Sequence, residues 1–138
     1  MPYQESLKES KWYPIFADGW AGDPFKSEPK DDAPAVLACA IPSATFNTIA
    51  QEARDTDLLR DYDGMTKLRS YVLAQGARGW RNIKDRKGED VPFYKGKRGD
   101  GPSPECIAEL EGRAEHVAAF MQVSILTHNR LTRDELGN

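Results

Sequence analysis

Two imidazoles, His116 and His128, and two thiols, Cys39 and Cys106, are the side chains of this sequence best suited to metal ligation or nucleophilic chemistry. Their spacing argues against both uses. The histidines stand twelve positions apart, too far to share adjacent turns of one helix as a two-His metal motif requires. Glu115 and His116 are sequence neighbours that point about 100° apart on a helix, so they form no ready acid–base pair. Both histidines therefore read as surface or helix-capping residues. The cysteines are 67 positions apart without CxxC spacing, and neither GxSxG nor GxxxxGK[ST] occurs. They read as buried thiols of a reducing compartment, with a disulfide as the alternative that spacing leaves open.

Three further patterns fail on inspection. Asp55, Asp57, Asp61 and Asp63 suggest a calcium loop, but Arg60 occupies the place where that loop turns on a Gly. Solvated turn and capping residues are the better reading. Gly96, Gly99 and Gly101 lie in a Pro- and Lys-rich stretch with no strand before them, unlike a dinucleotide-binding turn. Arg98-Gly99-Asp100 spells an adhesion tripeptide of a kind that arises often by chance. The basic segment is more serious. Arg78, Arg81, Lys84, Arg86, Lys87, Lys95, Lys97 and Arg98, interleaved with Trp80, Phe93 and Tyr94, could contact phosphates and stack bases. Against that reading, the rest of the chain is acidic, and Trp80 and Phe93 are needed to hold the segment to a core.

The elements that position these residues follow from apolar spacing. Residues 35–41, AVLACAI, end at Pro42 and suit a buried or edge strand. Ser43 can cap a helix over 44–54, whose apolar face is Phe46, Ile49, Ala50 and Ala53. A second helix over 64–75 turns Met65, Leu68, Val72 and also Tyr71 inward, and Gly76 suits its end by adopting a left-handed conformation. From Gly79 to Phe93 the pattern predicts a short irregular hairpin turning at Asp85, Arg86, Lys87 and Gly88. Residues 94–104 read as an exposed, mobile loop. Ser103 or Pro104 then opens the longest helix, with Ile107, Leu110, Ala114, Val117 and Met121 in one stripe through about residue 125. Such a stripe must pack against the other helices or another subunit, so a homo-oligomer stays open. Thr132-x-x-Glu135 predicts a capping box opening a helical stub. The fold class is mainly α with a small β component.

Residues 1–33 are dense in aromatics: Trp12, Tyr13, Phe16, Trp20 and Phe25. WYPIF and ADGW can pair as a hairpin around Asp18-Gly19. We place a boundary near 33, separating an N-terminal arm and linker from a helical domain over 34–138. The arm either lies on the core or docks a partner.

At 138 residues, 39% hydrophobic and 30% charged, the chain suits one modest core and excludes a large multidomain enzyme. Its net charge of −3 argues against a whole-molecule grip on nucleic acid or anionic membrane. No run approaches the roughly 20 apolar residues that span a bilayer. The first residues lack the apolar stretch of a secretion signal, so we expect a cytosolic protein.

The segment GWRNIKDRKGEDVPF resembles the recurrent G-W-x-N/G-V-x-D-x-x-G-x-x-V/I-P-F core of small tail assembly chaperones of tailed bacteriophages. Gly79, Trp80, Asn82, Ile83, Asp85, Gly88, Val91, Pro92 and Phe93 occupy the matching places. The surroundings agree over about residues 34–138: a strand-like run before a helix, a helix ending ahead of the Trp, a long last helix, and a closing S-x-L-T-like segment at 124–127 or 131–132. Residues 1–33 and the GKRGDGPSP loop depart from that pattern. The resemblance implies a host-cytoplasmic protein that coats the tape-measure protein, with the tail tube protein as a second partner, and that works without chemistry or nucleotide. Residue spacing, hydropathy and charge add the expectation of no metal, cofactor or membrane and weigh against nucleic acid. The mechanism would be masking of apolar helices. Candidate contact residues are Trp12, Phe16, Trp20 and Phe120; Trp80, Ile83 and Phe93 are assigned to structure first. A structural virion protein, in tail completion or on the head surface, is the alternative, and a nucleic-acid-binding accessory protein, on the basic segment, is a less favoured third.

Overall fold

A computed structural model of the chain describes residues 10–15, 32–55, 62–97 and 99–137. Strands β1 (Lys11–Pro14), β2 (Ala35–Ala38) and β3 (Ala77–Arg81) form one antiparallel sheet in the order β1-β2-β3. Helices α1 (Ser43–Asp55), α2 (Tyr62–Gly76), α3 (Pro104–Arg113) and α4 (Glu115–Gly137) complete a mainly helical body with a small β component.

The sheet exists because AVLA is apolar enough to be a central strand and finds a partner on each side. Tyr13, Val36 and Trp80 stand in register across the three strands and are all buried in the core. Trp12 and Leu37, one position along, face the other way and stay half-exposed. Pro14, which has no N–H to give, ends the edge strand. Leu37 pairs with Gly79 but Ala38 with Ala77, so Arg78 is an extra residue that kinks β3. Lys11–Pro14 thus pair with β2, and Tyr13 and Ile15 join the core of the helical body. The other half of the expected N-terminal hairpin, ADGW, lies outside the described residues.

Both short helices form where apolar spacing predicts them, each a little longer. Ile49 of α1 and Leu68, Val72 and Leu73 of α2 are buried; Phe46 and Met65 are half-buried. Tyr71, expected inward, is 39% exposed, since it sits about 100° around the helix from Val72. Gly76 ends α2 for a different reason from the one expected. The described glycines with positive φ are Gly88 and Gly99. At Gly76 a Cβ would stand 2.3 Å from Ile125 Cγ2 and 3.1 Å from Ile41 Cδ1, so α4 crosses where there is room for hydrogen alone.

The expected single long helix is two. Ser103 Oγ accepts from Cys106 N at 3.0 Å and Pro104 begins α3, as the cap signals imply. The path breaks at Ala114 (φ −147°, ψ 57°), which closes α3 through Leu110 O and opens α4 by accepting from Val117 N and Ala118 N. Apolar periodicity did not register the break because Ala114 is itself buried and the stripe runs on through Val117, Met121 and Ile125. α4 continues to Gly137, so Thr132 lies within a helix instead of opening one. The 94–104 loop is also less free than expected. Gly96 N bonds Gly101 O, Ser103 N bonds Tyr94 O, and Pro102 and Ser103 are buried. A Cβ on Gly101 would come within 2.6 Å of Ala74 O, so the loop presses on α2, leaving Lys95, Lys97 and Asp100 exposed.

Buried polar groups fasten these layers. Asn129 Oδ1 accepts from Ile41 N at 2.6 Å, while its Nδ2 donates to Cys39 O and Ile125 O. His128, expected at the surface or in a cap, is buried with Nδ1 2.7 Å from Tyr13 Oη. Only His116 is exposed as expected. Arg69 of α2, 3% exposed, holds Glu111 of α3 with two nitrogens at 2.7 and 2.6 Å and reaches Glu115 of α4. Tyr62 donates to the same Glu115 at 2.6 Å.

Gly76→Ala should lower unfolding free energy by about 1–3 kcal/mol in urea titrations, because both crowding atoms sit on branched core side chains. Gly112→Ala, where no atom lies within 4 Å, should instead raise it by about 0.5–1 kcal/mol through helix propensity. Equal effects of the two would contradict the crowding at Gly76. Asn129→Ala should cost about 2–4 kcal/mol, since it strands the Ile41 N–H and the Cys39 carbonyl away from water.

Candidate partner-binding site

The motif residues of 79–93 come together as one folded unit. β3 turns Trp80 inward to 6% exposure, and its Nε1 donates to Val91 O at 3.0 Å. Asn82 then takes a positive φ of 57°, tolerable for Asn, and its amide reaches Ala33 O. Ile83 and Val91, both buried, face each other through the Val91 N to Ile83 O bond at 2.8 Å. Between them Lys84 bridges to Asp90, Gly88 N bonds Asp85 O at 3.0 Å, and Gly88 has φ 82°, where a side chain would be strained. Phe93 meets the indole edge-on with ring centroids 5.0 Å apart. Pro92 is exposed, but its carbonyl is 3.5 Å from Cys106 Sγ on α3.

Asp85 and Arg113 lock this unit to α3. The Asp85 carboxylate accepts from Lys87 N and Glu89 N, both at 2.9 Å, and from Arg113 Nε and Nη2 at 3.1 and 2.9 Å. Arg113 also donates to Asp90 O at 2.8 Å and Glu109 Oε1 at 2.7 Å. The Glu89 N–H first, then Arg113, hold the Asp85 carboxyl below the usual carboxylate range. At Glu115 the hydroxyl of Tyr62, then Arg69, act in the same direction.

The candidate contact residues are dispersed. Trp12 lies half-exposed on the outer face of the sheet beside Leu37, with the Arg81 guanidinium 4.3 Å over its ring. Gly79 shares this face, where a Cβ would sit 3.6 Å from Trp12 Cη2. Phe120 of α4 is half-buried and packs on the core, whereas Val123, three positions on, is 47% exposed. Phe16 and Trp20 lie outside the described residues. Tyr62 is a further exposed aromatic that spacing did not single out, and Tyr94, named with the basic segment, is exposed as well.

The basic segment loses much of its field in three dimensions. Lys84 pairs with Asp90, Lys95 lies 3.9 Å from Asp100, and the Arg81 guanidinium stacks over Trp12. Trp80, which could have stacked a base, is committed to the core. Cys39 and Cys106 are buried free thiols, and burial pushes both up in pKa, away from the reactive thiolate. Among the described residues no three His, Cys, Asp or Glu side chains cluster to hold a metal ion. No described helix is long and apolar enough to cross a membrane.

Trp80→Phe should cost about 1–3 kcal/mol by leaving Val91 O without its indole donor, read as a loss in urea midpoint. The folded-state pKa of Asp85 lies below its unfolded value. Its stabilisation is therefore complete above the ordinary carboxylate range, about pH 4, and is lost as pH falls through the folded value. Asp85→Asn should accordingly flatten the acid limb of stability against pH; an unchanged limb would contradict the latch. Compared with models of protein families, with curated proteins and with solved structures, this chain finds no match.

Proposed function

We propose that this chain is a tail assembly chaperone of tailed bacteriophages, which keeps the tape-measure protein soluble in the host cytoplasm until the tail tube polymerises around it. The observation that carries this reading is the 79–93 segment. The residues by which it resembles that family's core make a single unit: Trp80 on Val91 O, Ile83 against Val91, and Asp85 under Arg113.

The physical task is masking. A long chain of apolar helices aggregates in water, and a small protein can cover it with half-exposed apolar surface while its charges keep the complex soluble. Trp12 and Leu37 on the sheet, and Val123 on α4, are surface of that kind. Because Trp80 and Ile83 are buried, their part is to hold the body together.

Co-expression with a tape-measure protein from the same genome should move that protein from the pellet to the soluble fraction. A tape-measure protein equally soluble without it would overturn the proposal. Trp12→Glu should weaken the effect several-fold with the far-ultraviolet circular dichroism unchanged. Mass spectrometry of purified particles should find the chain absent; stoichiometric presence would favour a structural virion protein instead.

A further inference from the structure

We draw no further inference here: the strongest candidate, the half-exposed Trp12–Leu37 strip on the outer face of the three-stranded sheet, carries none because nothing in the structure shows what covers it.

Discussion

The carboxamide of Asn129 closes the junction between β2 and α1. β2 leaves the sheet at Ala38, and within a few residues the chain must turn and begin α1, running against α4 as it does so. Backbone groups in such a passage lose water without gaining a ladder partner, and each orphan costs about 1–3 kcal/mol. Asn129 supplies an acceptor to Ile41 N and a donor to Cys39 O, and Gly76 O takes the N–H of Cys39. The α2–β3 corner, the exit of β2 and α4 are thereby joined. The close approach of Ile125 to Gly76 depends on that register. A single carboxamide can do this because it carries donors and an acceptor in one plane.

The hairpin is tied down by a different logic. Its turn is drawn together by the Asp85 carboxylate, its apolar side by Trp80 and Phe93, and its charged side by Arg113 at the end of α3. Arg113 comes immediately before the break at Ala114, while Glu111 and Glu115, on either side of that break, answer to Arg69 of α2. The two arginines thus orient α3 from opposite partners. Half-buried pairs of this sort specify geometry more than they add stability, since desolvation offsets much of the attraction.

Much of the architecture was legible in local pattern. Two helices, the Ser103 cap and the turn at Asp85–Gly88 all rest on interactions within a few residues: apolar spacing, a side chain capping its own helix, a glycine accepting positive φ. The 35–41 run reads as a buried or edge strand, and its central place comes from β1 and β3. The errors have a common form. Steric approach, not backbone freedom, explains Gly76, and Tyr13 holds His128 inside where its spacing suits the surface or a helix cap. The 94–104 loop, polar in composition, is pressed on Ala74. Each depends on a residue far away in sequence.

What the amino-acid order determined by itself is therefore the placing of α1, α2, the 35–41 strand and the start of α3, with most of the residues they turn to the core, because side-chain periodicity follows directly from helix and strand geometry. Tertiary structure alone decided that Lys11–Pro14 pair with β2, that the last helix breaks at Ala114, and that Arg69, His128 and Asn129 become internal fasteners. The reason is that a polar side chain's role is set by which partner reaches it once water is excluded, and those partners lie 42, 115 and 88 positions away.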